Sequence, residues 1–120
     1  DLKGAVVKYL ECDRQGRITE EDLRNAITDK TKLVAVTQVS NVLGVRNDIR
    51  AFAKICHEKG IVIVADGAQS VPHMPVDVQE LDVDFLAFSG HKMLGPRESE
   101  FSMEKGNIWK KCLRFLPAVK

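Results

Sequence analysis

Two apolar stretches in the middle of the chain are each followed by polar side chains that could do chemistry. These side chains are Asp66 and Gln69 after residues 61–65, and Ser89, His91 and Lys92 after residues 82–88. A lysine at the end of a buried strand can have its amine held out of water, which favours the neutral amine that attacks a carbonyl carbon. The alternative for Lys92 is an ordinary solvated surface lysine.

Asp66 directly follows the apolar run IVIVA, so its carboxylate emerges from a buried strand. Such a carboxylate must find a cationic or hydrogen-bond-donating partner or lose its charge. A turn or helix N-cap aspartate is the alternative, and the spacing by itself favours neither. Gln69 could reach the same partner or be a loop amide, and His91 could be an exposed imidazole.

Three apolar runs of strand length position these groups, with helical segments between them. The runs are residues 33–39, 61–65 and 82–88, and the helical segments run from a cap at Asn47 or Asp48 to Gly60 and from Val78 to Leu81. The first run is continuously apolar, which suits a parallel strand covered on both faces. Alternating strands and helices predict an α/β fold with a mostly parallel sheet. In such folds ligands bind at the carboxyl ends of the strands, where these polar groups fall.

The N-terminal part predicts a strand, a turn and a helix. Residues 5–10 are mainly apolar and β-branched, and the sequence DRQG at 13–16 has turn chemistry. Thr19 with an acidic residue three positions later forms a capping-box pattern. It predicts a short helix that extends to Ile27.

Composition narrows the class of protein. The chain has 120 residues, of which 44% are hydrophobic and 29% charged, which is typical of a small globular domain. Its net charge of +1 gives no electrostatic reason to expect nucleic acid or a membrane surface as a partner. The spacing of Cys12, Cys56 and Cys112 indicates neither a zinc site nor a disulfide framework. We therefore expect no bound metal and a reducing, cytoplasmic compartment, with Cys12 and Cys56 as core residues.

Three motifs, SNVLG, VADGAQS and SGHKMLGP, resemble the cofactor-binding core of the fold-type I pyridoxal 5'-phosphate (PLP) enzymes, in the class V aminotransferase branch. Within that branch the sequence is most similar to the cysteine desulfurases and selenocysteine lyases. The resemblance extends from Asp1 to Pro96. It implies part of a three-layer large domain of the aspartate aminotransferase type.

The resemblance also implies a role for each polar residue. Lys92 would form the Schiff base with the cofactor aldehyde, Asp66 would keep the pyridine nitrogen protonated, and Gln69 would hydrogen-bond the phenolic oxygen. The remaining contacts would be those of Ser89 and His91 with the phosphate and of Asn41 with the cofactor oxygen and the substrate. A turn asparagine is the alternative for Asn41. His57 is expected to be structural, and His73 is left outside the core set.

The implied activity is removal of sulfur or selenium from cysteine or selenocysteine, which gives alanine. Another class V aminotransferase or lyase activity and a noncatalytic α/β remnant are the alternatives. The implied partners are an amino-acid substrate, a sulfur-acceptor protein and a second subunit in a homodimer. The family's phosphate anchor, ring-stacking residue, substrate-carboxylate arginine and reactive cysteine are not recognisable, so we expect the isolated chain to be inactive.

Residues 97–120 do not continue the resemblance and are interpreted as a separate tail. One choice of codons for Arg97 to Asn107, read two bases later, encodes GIGVLYGKRE, which is similar to the segment that comes after SGHKMLGP in the family. The hypothesis is that loss of one base produced the tail, and that the chain, which starts without Met, is a fragment. A natural, divergent C-terminal helix is the alternative.

Overall fold

The computed structural model describes residues 4–94 and the backbone of residues 100–104. In chain order the elements are α1 (Glu20–Ala26), β1 (Leu33–Thr37), α2 (Ile49–Glu58), β2 (Val62–Asp66), α3 (Val78–Leu81), β3 (Phe85–Ser89), a one-turn 3-10 helix (Gly90–Met93) and β4 (Glu100–Glu104). The strand order is β1-β2-β3-β4, with β1, β2 and β3 parallel and β4 antiparallel to β3. The prediction of an α/β fold with a mostly parallel sheet is confirmed.

Helix α2 covers one face of this sheet. Asp48 caps it by accepting a hydrogen bond from the Ala51 amide at 3.1 Å, and Gly60 follows its end with a φ of +65°, a conformation that favours glycine. The apolar side of α2 packs with the inward residues of the sheet. The core comprises Leu23, Ile49, Phe52, Ala53, Ile55, Cys56, Ile61, Ile63, Ala65, Leu81, Val83 and Leu86.

The opposite face of the sheet is more open. Leu33 is 55% exposed, and Ala35 and Ala87 on the same face are also exposed. The expectation that residues 33–39 are covered on both faces is therefore wrong for the described chain, because the helices that pack on β1 and β2 lie on the α2 side alone. The strand also ends earlier than predicted, at Thr37.

The predictions for the N-terminal part have mixed outcomes. The turn is confirmed by the Gly16 amide, which donates to the Asp13 carbonyl at 2.9 Å, and the capping box by reciprocal bonds between Thr19 and Asp22. Residues 5–10 are not a strand: Val6 is 92% exposed and no described strand pairs with this segment. An apolar, β-branched run forms a strand only where a neighbour satisfies its backbone.

The third predicted strand begins three residues later than expected. Asp82 adopts a left-handed conformation, with φ of 58°, as the C-cap of α3. Asp84 then uses its side-chain Oδ2 to accept the Ile63 amide at 2.8 Å. Both residues serve as connections between elements, so regular pairing starts only at Phe85.

The tail contributes β4 through its backbone. Residues 100–104 pair with β3 in antiparallel register, from Phe85 opposite Glu104 to Ser89 opposite Glu100. Backbone pairing requires no particular side chains, so it is compatible with either origin of the tail. The division at residue 97 and the frameshift stay predictions, and Cys112 lies outside the described residues.

Candidate functional site

Asp66 is the last residue of β2, and it lies next to β3. Its register partner is Ala87, and the following amide, that of Gly67, donates to the Ala87 carbonyl at 2.7 Å. Neighbouring strands are about 4.8 Å apart, and Ser89 lies two residues, roughly 6.6 Å, further along β3. Alternation along the strands directs Asp66 and Ser89 to the same face of the sheet. The two predicted groups therefore emerge at one edge of the sheet, as expected.

The turn after Asp66 is tightly packed. A Cβ atom at Gly67 would lie 2.9 Å from Leu86 Cδ1 and 3.0 Å from Val71 Cγ2, so an alanine would fit only if these side chains shifted. Asp66 is exposed, and its Oδ1 accepts the Ala68 amide at 2.9 Å. Asp66 thus makes the turn contact that was one alternative for it, and its side chain still faces solvent at the strand end.

Asn41 and Gln69 meet through their side chains. The Gln69 Nε2 donates to the Asn41 Oδ1, which joins the loop after β1 to the loop after β2. Gln69 is half-buried and Asn41 is exposed. His73 also lies here, with its Nδ1 2.7 Å from the Gln69 carbonyl oxygen. His73 stays outside the predicted core set, although the Gln-x-x-x-His spacing of one turn places it beside Gln69.

Lys92 and His91 lie on the 3-10 helix that follows β3. Gly90 is buried, Ser89 is half-buried, and both His91 and Lys92 are exposed. The expectation that the Lys92 amine is held out of water is wrong for the described chain. The lysine comes three residues after the last strand residue, on a 3-10 turn in which Gly90 is buried and the next three residues are exposed.

The cysteine predictions differ in outcome. Cys56 is fully buried in α2 as expected, and burial, with a contribution from the nearby Asp84 carboxylate, raises the pKa of its thiol to about 11. At neutral pH it is therefore protonated and a poor nucleophile. Cys12 is exposed, so the prediction that it fills the core is wrong. Leu10, two residues earlier, is the side chain of this segment that packs against the core, whereas Cys12 and its neighbours Glu11 and Asp13 are exposed.

His57 makes contacts away from this edge of the sheet. Its Nε2 lies 3.2 Å from Asp84 Oδ2 and its Nδ1 lies 3.4 Å from Asp82 Oδ2. These contacts connect the end of α2 to the α3–β3 connection and agree with the predicted structural role. Within residues 4–94, no three His, Cys, Asp or Glu side chains group as metal ligands.

Asn47, predicted only as one of two alternative caps for α2, has a different role in the structure. It is 7% exposed, and its Nδ2 donates to the Thr37 carbonyl at 2.8 Å. Asn47 and Asp48 were alternative caps for α2, and only Asp48 has that role. Two residues with capping side chains stand next to each other before α2, and one cap is enough for a helix. This pattern could have indicated that either Asn47 or Asp48 bonds elsewhere.

Comparison with known proteins decides the family. The aminotransferase class-V family model matches residues 1–97. The chain belongs to the aminotransferase class-V family. Among its relatives, a probable cysteine desulfurase of Halalkalibacterium halodurans is 53% identical over 93 residues and a cysteine desulfurase of Haloferax volcanii is 52% identical over 93 residues. Each alignment covers 78% of this chain and 23% or 22% of the relative, so this class-V chain spans less than a quarter of their length.

Two solved structures of cysteine desulfurases share the fold. The apo cysteine desulfurase of Thermococcus onnurineus superposes with a TM-score of 0.78 at 38% identity, over 86% of this chain and 26% of that one. The cysteine desulfurase CsdA of Escherichia coli gives a TM-score of 0.72 at 40% identity, over 80% of this chain and 24% of that one.

No helix among the described residues is long and apolar enough to span a membrane.

Proposed function

We propose that this chain forms the central part of the PLP site of a cysteine desulfurase. The observation that carries the proposal is the adjacency of two strand ends. Asp66 ends β2 beside Ala87 of β3, and β3 leads directly to Lys92. A carboxylate and an amine that emerge from neighbouring strands at one edge can contact opposite parts of a single aromatic ring.

The chemistry of the available side chains fits the cofactor in part. Asp66 offers a carboxylate to a ring nitrogen, and the Asn41–Gln69 pair offers amide groups to a ring oxygen. Ser89 and His91 offer a hydroxyl and an imidazole to a phosphate beside Lys92. Two side chains are few for holding a phosphate, and Lys92 is exposed to solvent. We therefore expect this chain alone to bind PLP weakly.

Each residue has a separate task in the proposed site. Lys92 would hold the cofactor covalently through its amine, and Asp66 would keep the ring nitrogen protonated. Gln69 would donate a hydrogen bond to the phenolic oxygen, and Asn41 would hold the Gln69 amide in orientation. When bound, PLP supplies a ring that accepts electrons from the substrate carbon.

The proposed substrate is cysteine or selenocysteine, and the proposed products are alanine and a sulfur or selenium atom passed to an acceptor protein. The support is that the relatives matched at about half identity are named cysteine desulfurases. A homodimer in a reducing, cytoplasmic compartment remains part of the proposal. The sulfur-accepting thiol is not supplied by Cys56, whose raised pKa and burial keep it unreactive.

A noncatalytic α/β remnant is the second candidate. It is favoured by the exposure of Lys92, whose amine is not held out of water. Another class V aminotransferase or lyase activity is the third, and residues that lie outside the matched segment would select between it and desulfuration.

Absorbance on addition of PLP tests the proposal. We expect a weak visible band from covalently attached cofactor that is lost in Lys92→Ala and retained in Lys30→Ala, a control at another exposed lysine. We also expect no release of sulfide from cysteine by the isolated chain. A band of equal strength in the wild type and Lys92→Ala would contradict the proposed role of Lys92. Sulfide release by the chain alone would show that the site is more complete than proposed.

A further inference from the structure

The loop that carries Asn41 is a small hairpin with a defined base. Val39 and Arg46 form an antiparallel bridge, and the Ser40 amide donates to the Val45 carbonyl at 2.9 Å. At the other end of the loop, Gly44 closes the turn with a φ of +66°, and its amide donates to the Ser40 carbonyl at 3.0 Å. The hairpin is therefore a compact unit whose position depends on its base.

Asn47 fixes that base to the end of β1 with two hydrogen bonds. Its side-chain Nδ2 donates to the Thr37 carbonyl at 2.8 Å, and its backbone amide donates to the Gln38 carbonyl at 2.9 Å. Asn47 is 7% exposed and Gln38 is 2% exposed, so water does not compete with these bonds. The side-chain bond to the half-buried Thr37 is costly to remove, because the Thr37 carbonyl would lose this donor.

The same strand end is connected to Asp66. The Gln38 amide donates to the Asp66 carbonyl at 2.9 Å, which extends the parallel pairing of β1 and β2 beyond Thr37. The chain of contacts thus runs from Asp66 to Gln38, to Asn47 and into the hairpin. It closes through the Asn41–Gln69 side-chain bond, and Gln69 lies three residues from Asp66.

We infer that Asn47 is a positioning residue for the ring-edge amides of the proposed cofactor site. It acts through the hairpin: by holding the base to the ends of β1 and β2, it sets where Asn41 meets Gln69 relative to the Asp66 carboxylate. Asn47 does not itself touch the site. The role of Asn47 toward a cofactor rests on the proposed function. Its effect on the Asn41–Gln69 contact does not, because that contact can be measured without cofactor.

Asn47→Asp is the sharpest substitution, since it keeps the size of the side chain and replaces the donating NH₂ with an oxygen that faces the Thr37 carbonyl. The probe is the ¹H–¹⁵N spectrum of the labelled 120-residue chain. We expect the side-chain amide signals of Asn41 and Gln69 to move toward the positions of solvent-exposed amides, while backbone signals of Leu23 and Phe52 in the core stay in place. The control, Asn25→Asp, makes the same chemical change at an exposed site on α1.

A second readout uses PLP itself. After borohydride reduction at a fixed, low PLP concentration, the yield of modified Lys92 should fall about tenfold in Asn47→Asp, the factor expected for one hydrogen bond, and stay at the wild-type level in Asn25→Asp. If the wild type traps no PLP, the proposed function fails, while the amide signals still decide the role of Asn47.

Unchanged Asn41 and Gln69 side-chain signals in folded Asn47→Asp would overturn the inference. So would movement of the core signals by as much as the Gln69 signals, because that result would mean general loosening of the fold. If Asn47→Asp does not fold, Asn47→Ser removes the amide without a buried charge. Shifted Gln69 signals in Asn47→Ser support the assignment, and unshifted ones reject it.

Discussion

Strand β2 contributes to two regions that differ in burial. One is the face of the sheet covered by α2, and the other is the proposed site at the ends of β2 and β3, which we call the strand-end site. Ile63 and Ala65 have no exposed surface and pack under α2, whereas Asp66, the next residue, is exposed at the edge of the sheet. Lys92 is exposed as well. Alternation along one strand therefore separates the residues that stabilise the fold from those proposed to do the chemistry. Substitutions on the two sides should consequently affect different measurements.

The largest effect is expected for Phe52→Ala in the middle of α2. Phe52 is 2% exposed, so the substitution removes a buried ring and leaves a cavity. Loss of about 3–5 kcal/mol in the free energy of unfolding is expected, which for a small domain approaches complete unfolding. Urea denaturation followed by circular dichroism measures it. A loss below about 1 kcal/mol would mean that this face is not the stabilising core.

A smaller loss in the free energy of unfolding is expected for Asp84→Ala. This variant tests a buried hydrogen bond on the face covered by α2, whereas Phe52→Ala tests packing. Asp84 Oδ2 accepts the buried Ile63 amide and lies 3.2 Å from His57 Nε2. Removing it leaves a buried donor unpaired, at a cost of about 1–3 kcal/mol. Asp84→Asn, which retains an acceptor oxygen, should lose less in the same denaturation experiment. Equal losses in the two variants would contradict the importance of the Ile63 bond.

Thr19→Ala tests the capping box on α1, and a loss of about 1 kcal/mol is expected from the missing cap. The Thr19 hydroxyl and then the Thr19 amide donate to Asp22 and hold the pKa of that carboxyl below its usual value. Stability from this interaction is present above about pH 4 and is lost as pH falls through the lowered pKa. Denaturation at pH 7 and pH 3 should therefore show a smaller difference between wild type and variant at pH 3. A constant difference would argue against the Thr19–Asp22 interaction.

The smallest effect on stability is expected for Lys92→Ala. The exposed side chain lies on the turn after β3, so the change should stay within about 0.5 kcal/mol. The same variant should remove most of the covalent PLP attachment, which makes it the opposite of Phe52→Ala. A large loss of stability in Lys92→Ala would show that the strand-end site is part of the packed structure, and the two regions would no longer be separable.

Much of the covered face was predictable from sequence because its signals are local. The Thr19 capping box and the limits of α3 at Val78 and Leu81 follow from side chains close in sequence. The cap of α2 was predicted at Asn47 or Asp48, and Asp48 has that role. Residues 5–10 carry an equally local strand signal and failed, since a strand requires a partner that local pattern does not reveal. The same limit explains why β1 was expected to be buried on both faces.

The site was predictable only in part. Resemblance named its residues, and the sheet topology confirms that Asp66 and Ser89 reach one edge. The Asn41–Gln69 contact and the support from Asn47 depend on hydrogen bonds between loops that are far apart in sequence. The exposure of Lys92 was also not predicted. The apolar residues of the preceding strand do not show whether other parts of the chain pack over the turn that follows it.

Borohydride reduction with limiting PLP, followed by peptide mass spectrometry, tests the central claim most directly, because trapping records weak binding that absorbance can miss. We predict that Lys92 carries more label than any other lysine and that Asp66→Ala lowers that label several-fold while leaving the others unchanged. Label spread evenly over the exposed lysines, or the same Lys92 label in Asp66→Ala, would contradict a shared cofactor site at the ends of β2 and β3.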